Sequence, residues 1–166
     1  MPATTAMKRA MFKSMHQEGC FVIPNPWDVG SARFLGELGF KALATTSAGL
    51  AWSLGCPDGA VPVDDVLVHL RAMVAAVDLP INADFENGYA DDPDSVAAHV
   101  TAAVGTGIAG LSIEDSTRHA PEPLYDLPFA AARIKAARAA IDAAGGDTIL
   151  TARAEGFPVG RPDLAD

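Results

Sequence analysis

Two cysteines in 166 residues, Cys20 and Cys56, are too few and too irregularly spaced for a disulfide framework or a thiolate metal cluster. Basic residues are also short. Against 21 Asp+Glu stand 12 Lys+Arg, a net charge of -9, and this argues against a nucleic-acid partner, which would want a basic stripe to neutralise phosphates. No stretch approaches the roughly 20 apolar residues of a membrane span. The first residues scatter Lys8, Arg9 and Lys13 among Met and Phe, without the continuous apolar core of a signal peptide. These absences predict a cytoplasmic protein with neither nucleic acid nor membrane as partner. What is there is ordinary globular composition, 49% hydrophobic and 20% charged, enough for one domain over residues 1–166 with a real core.

The chain alternates short apolar runs with helical patterns. A first helix is expected over 5–18, with Met7, Ala10, Met11, Ser14 and Met15 at helical spacing and Gly19 as its stop. Strands are expected at 21–25, 42–47, 80–86, 110–115 and 148–155. Between them, helices are expected at 27–38, at 62–77 with Val63, Leu67, Leu70, Val74 and Val77 on one face, at 92–104 behind an Asp92-Pro93 cap, and at 127–144. Residues 48–59 read as a long loop of small and polar residues, and 160–166 as the opening of another helix. Five strand–helix units in series demand a parallel sheet with helices outside. Each strand ends in polar residues, so the expected class is α/β, a (β/α)8 barrel whose site gathers at the C-terminal strand ends. A doubly wound open sheet is the alternative. Barrels of this kind run to about 250 residues, and this sequence supplies about five units, so a truncated barrel, a fragment, is expected.

The densest chemistry is Asn82-Ala83-Asp84-Phe85-Glu86-Asn87-Gly88. Strand alternation sends Asn82, Asp84 and Glu86 to one face and Ile81, Ala83 and Phe85 to the other. Two carboxylates on one buried face need a cation, a shared proton or open water. The same alternation aligns Ser112 with Glu114, and Thr151 with Arg153 and Glu155. Hard oxygen donors without a His or Cys cluster suit Mg2+, or Mn2+, rather than zinc, and Arg153 is a natural fork for a carboxylate or phosphonate. Spacing alone leaves two readings open, a metal site at Asp84, Glu86 and Glu114 or an ion-pair network around Arg153. Ser47-Ala48-Gly49-Leu50 offers consecutive N–H groups, with Gly49 free to take the positive φ of an anion nest. Asp58 either reaches the pocket or caps the turn at Gly59. His119 is the one histidine outside the helical patterns, a candidate acid or base or a solvated loop residue. Gly105-Thr106-Gly107-Ile108-Ala109-Gly110 matches a dinucleotide fingerprint in letters only, since it ends a helix and enters a strand.

Taken in order, several short motifs carry a resemblance: Asn25-Pro26-Trp27-Asp28, Thr46-Ser47-Ala48-Gly49, Asp84-Phe85-Glu86-Asn87-Gly88-Tyr89, Ile113-Glu114-Asp115 and Ala152-Arg153-Ala154-Glu155. From about Phe12 onward the sequence resembles the isocitrate lyase and phosphoenolpyruvate mutase superfamily. That resemblance implies a (β/α)8 barrel, Mg2+, and the making or breaking of a C–C or P–C bond beside a 2-oxo acid carboxylate. By position it implies Asp84, Glu86 and Glu114 as metal residues, with Glu86 where aspartate is common. It implies Ser47, Ala48, Gly49, Leu50, Arg153 and Glu155 as substrate-binding, and Asp58, Arg153 and His119 as catalytic. The Lys-Lys/Arg-Cys-Gly-His loop of the isocitrate and methylisocitrate lyases is replaced by Ser116-Thr117-Arg118-His119-Ala120-Pro121-Glu122, so true isocitrate lyase activity is not implied. Strands six to eight and the C-terminal helix that family members swap between subunits are not in this sequence. A small 2-oxo or 2-hydroxy acid or phosphonate is the implied partner, with a homo-oligomeric full-length form. The competing expectation is a catalytically inactive truncated barrel that only binds other molecules.

Overall fold

Four short strands, β1 (Leu43–Ala44), β2 (Ile81–Asp84), β3 (Gly110–Glu114) and β4 (Ile149–Arg153), lie parallel in the order β1-β2-β3-β4 in a computed structural model describing residues 2–119 and 121–161. Each strand neighbours the next in sequence, without the reversal that defines a doubly wound sheet. The fold is α/β with the sheet order of a (β/α)8 barrel. Register pairs Asp84 with Ser112, Ser112 with Thr151, and Glu114 with Arg153, so the polar residues at the strand ends stand side by side on one face.

The helices are α1 (Thr5–Met15), α2 (Val29–Glu37), α3 (Ser47–Ser53), α4 (Val63–Ala76), α5 (Pro93–Val104) and α6 (Leu127–Ala143). Local chemistry sets their starts. Asp28 and Ser31 form a reciprocal capping box on α2, and Asp92 and Asp126 cap α5 and α6 with a proline in each first turn. Ile81, Ala83 and Phe85 turn away from the polar face into the main core with Leu70, Met73, Val96, Val100, Ala137 and Ile141. All five residues of β3 are buried, as expected of a parallel strand covered on both faces.

The opposite face is plugged at its N-terminal end by α1. Phe12, 1% exposed, packs with Ala42 and Ala109, and a Cβ on Gly110 would lie 2.6 Å from its ring. Lys8 donates to the Val74 and Val77 carbonyls at 2.9 and 2.6 Å, and Arg9 to those of Ile108 and Val104 at 3.0 and 2.9 Å. These two cations fasten α1 to carbonyls of the last turns of α4 and α5 and of the segments that follow them.

Two expectations are corrected. Residues 21–25 form no strand: Pro24 accepts one ladder bond from the Ala44 N–H at 3.0 Å, but Pro24 and Pro26 flank Asn25 and remove the donors a ladder needs. Residues 48–59 are not wholly loop, because 47–53 form α3, capped by Thr46. The helix expected to open at Gly160 falls mostly on 162–166, outside the described residues. No described helix is long and apolar enough to cross a membrane.

Candidate active site

Asp84 ends β2, and three contacts fix it. Its N–H donates to Thr45 Oγ1 at 3.0 Å, its Oδ2 accepts the Ser47 N–H at 2.9 Å, and its Oδ1 faces Arg153 Nη1 at 3.1 Å. Ser47 opens α3, so an N–H left free by the helix start is satisfied by a carboxylate. On the adjacent strand Glu114 is 8% exposed, with Oε1 3.3 Å from Arg118 Nη2 and Oε2 3.6 Å from Arg153 Nη2. Arg153 also reaches Glu155 at 2.7 Å, whose N–H donates to Asp115 at 2.8 Å. Glu86, 3% exposed, lies 3.2 Å from the same Arg118 nitrogen.

Asp84, Glu114, Arg118, Arg153 and Glu155 enclose a cleft of about 410 Å3, with Ser47, Ala48, Asp58 and Ser116 on its remaining walls. A larger cleft of about 550 Å3 lies between α6 and the β3–β4 edge, apolar along Leu127, Ala130, Ile134 and Ala152 and sharing Glu114 and Arg153 with the first. The carboxylates converge in the smaller one, at the C-terminal ends of the strands. There Asp58, Asp84, Glu86, Glu114 and Glu155 outnumber the guanidiniums of Arg118 and Arg153, leaving an excess of negative charge.

Burial, aided by that excess, perturbs protonation. Burial pushes Glu86 up to about 7, against the opposing pull of Arg118. Burial, then the neighbouring Glu155, raises Glu114. The Tyr89 phenol, beside Glu86, is held far above its ordinary value by burial and by that carboxylate. Glu86, Tyr89 and Arg118 are also the three non-glycine residues with positive φ among those described, at 46°, 56° and 61°. Such backbone persists only where surroundings hold it, and it clusters at functional sites.

Of the residues singled out from sequence, Ser47, Ala48, Asp58, Asp84, Glu114, Arg153 and Glu155 line the cleft, and Glu86 is joined to it through Arg118. Three others are placed differently. Gly49 lies inside α3, its N–H turned back to Thr46 Oγ1 at 3.3 Å and its φ not positive, so the expected nest is not formed there. Leu50 points into the core. His119 is exposed, paired through its backbone with Thr117, and does not line the cleft. Arg118 was missed by sequence reasoning. The signal was present: an acidic cleft needs cations, and Arg118 is the one Lys or Arg between Arg71 and Arg133.

For a metal, the donor chemistry fits a hard divalent cation: carboxylate oxygens, partly buried, in charge excess. Their arrangement is taken up by the two arginines, and among the described residues no three His, Cys, Asp or Glu side chains are gathered to hold an ion.

A sequential parallel sheet with carboxylates and an arginine fork at its C-terminal edge defines a barrel-type α/β protein. Residues 12–166 match the family model described as phosphoenolpyruvate phosphomutase, and the chain belongs to that family. It is similar to a "putative lyase/mutase" of Burkholderia cenocepacia J2315 in crystal structure, at 46% identity and TM-score 0.95, over 98% of this chain and 59% of that one. It is similar to 2,3-dimethylmalate lyase, a member of the PEP mutase/isocitrate lyase superfamily, at 29% identity and TM-score 0.81, over 93% of this chain and 55% of the other. An uncharacterized protein of Mycobacterium tuberculosis is 42% identical over 127 residues, 75% of this chain and 46% of its own length. The chain thus spans about half the length of the curated relatives it matches first.

Proposed function

We propose that the protein is a Mg2+-dependent lyase-like enzyme that makes or breaks a C–C or P–C bond beside the carboxylate of a 2-oxo or 2-hydroxy acid. The observation that carries this is the meeting of Asp84, Glu114 and Arg153 at neighbouring strand ends, with negative charge left uncompensated. Asp84, Glu86 and Glu114 would hold the cation, Mn2+ being an alternative to Mg2+. When bound, it supplies Lewis-acid polarisation of a substrate oxo group. Arg153, released in part from its acidic neighbours, clamps the substrate carboxylate or phosphonate through its planar fork. Ser47 and Ala48 at the opening of α3 position that group, with Glu155 orienting the arginine. Asp58 is the carboxylate assigned to proton transfer: with a 2-hydroxy diacid its Oδ takes the hydroxyl proton as the C2–C3 bond opens, and the electron pair of that bond leaves with the departing acid as its enolate. The reading includes a homo-oligomeric full-length form in the cytoplasm.

A second reading, a non-catalytic binding module, is favoured by one observation. Thr151, Ala152 and Arg153 of β4 are exposed at the sheet edge, where an unpaired strand can recruit another chain. A panel of 2-oxo diacids, 2-hydroxy diacids and phosphonates, assayed with Mg2+ and with EDTA, separates the two. Metal-dependent turnover of a member is expected, and uniform inactivity with Mg2+ would support the binding module.

A further inference from the structure

Arg118 occupies the place where the acidic cleft most needs positive charge. One guanidinium nitrogen, Nη2, lies 3.2 Å from Glu86 Oε2 and 3.3 Å from Glu114 Oε1, linking the two most deeply buried carboxylates of the cleft. The other end of the guanidinium lies against Gly59, where a Cβ would fall 2.1 Å from Nη1. Gly59, at φ 82°, leaves the room that the guanidinium occupies, and Arg118 there comes beside Asp58. A single side chain from the loop after β3 therefore ties two strand ends to the loop after α3. Its backbone sits at φ 61°, in the left-handed region that non-glycine residues seldom adopt, with its N–H donating to Ser116 Oγ at 3.2 Å. A strained backbone held in place by ion pairs has a second, relaxed state available once those pairs are lost.

We propose that Arg118 is the resident counter-cation of this cleft and competes with the divalent cation for Glu86 and Glu114, so that metal loading and the Arg118 latch exclude one another. The inference rests on the reading of Asp84, Glu86 and Glu114 as the metal residues. It accounts for a feature that reading leaves bare: the carboxylates are present, but each of the three is engaged by an arginine, and among the described residues no three are gathered to hold an ion. Arg153 is different in kind. It pairs with Asp84 and Glu155 from the rim, 41% exposed, where it stays free to turn toward a substrate, whereas Arg118 bridges the buried pair. The latched state is metal-free, and the released state frees both carboxylates and opens the cleft wall formed by Ser116 and Arg118.

The test uses Mn2+ as the probe and the whole chain, with free Mn2+ read by electron paramagnetic resonance. Apparent affinity falls in proportion to the fraction of protein in the binding-competent state, so a latch closed nine-tenths of the time weakens binding about tenfold. Arg118→Gln is expected to bind Mn2+ about tenfold more tightly than the wild type, and Arg118→Lys, which keeps the charge, to stay near the wild type. A second readout needs no variant. Trypsin cleavage between Arg118 and His119, followed by mass spectrometry, is expected to accelerate severalfold in the wild type when Mn2+ is added, because the released arginine becomes accessible. Mn2+ binding that Arg118→Gln leaves unchanged or weakens, or cleavage that Mn2+ slows or leaves unaltered, overturns the competition while leaving the metal assignment standing. Absence of Mn2+ binding by both proteins overturns the metal assignment and this inference with it.

Discussion

Glu86 is a carboxylate 3% exposed, placed by a left-handed backbone between Arg118 and Tyr89. Its folded value of about 7 lies above its ordinary 4.5, so between those limits the folded chain holds a proton that the unfolded chain has released. The contribution to stability is therefore fully present below about pH 4.5 and is lost as pH rises through 7. A shift of this size corresponds to on the order of 3 kcal/mol. Urea unfolding in EDTA between pH 4.5 and 8 is expected to show the wild type losing stability relative to Glu86→Gln as pH rises; parallel profiles for the two would contradict it. At this scale the sequence was legible where period-two alternation governs: Asp84 stands opposite Ile81, Ala83 and Phe85 as expected. Arg118 was not legible, because a loop carries no period from which its direction can be read. Arg133 was hidden inside an Ala-rich helix. It is 1% exposed, donates to the carbonyls of Asn87, Ala90, Asp91 and Glu114, and stacks 4.0 Å over Tyr125. It thereby holds the loop after β2 against α6 beside the site.

Among the elements, α1 closes the end of the sheet opposite the cleft. Its apolar anchor is Phe12, and its polar anchors, Lys8 and Arg9, reach carbonyls at the C-terminal ends of α4 and α5 and just beyond them. Phe12→Ala leaves a cavity against Ala42, Ala109 and Gly110 and is expected to lower unfolding free energy by about 3–5 kcal/mol. Chemical denaturation would measure it, and a loss below about 1 kcal/mol would mean that α1 is held by its cations alone. Helices with strong caps were legible, as Asp28, Asp92 and Asp126 illustrate. The stretch after β1 was not, because its small residues Ala48, Gly49 and Ala51 suit a loop as well as a helix. What decides for α3 is tertiary: Trp27 covers Gly49 so closely that a Cβ there would lie 2.5 Å from the indole. Residues 21–25 erred the other way, apolar enough for a strand yet interrupted by Pro24 and followed by Pro26.

For the whole molecule, the order of motifs along the chain carried the fold further than any single one. Asp84, Glu114 and Arg153 at strand ends, and Ser47 at the start of α3, meet only if the sheet is parallel and sequential, and it is. The central claim is that this convergence serves a divalent cation and a 2-oxo or 2-hydroxy acid. Asp84→Asn tests it most directly, because the amide oxygen can still accept the Ser47 N–H while the negative charge is removed. The measurement is the Mg2+-dependent turnover rate of Asp84→Asn against wild type on the substrate found by the panel, with thermal unfolding of both as control. A loss of at least about a thousandfold with the unfolding midpoint retained is the result predicted, and unchanged turnover would contradict the account.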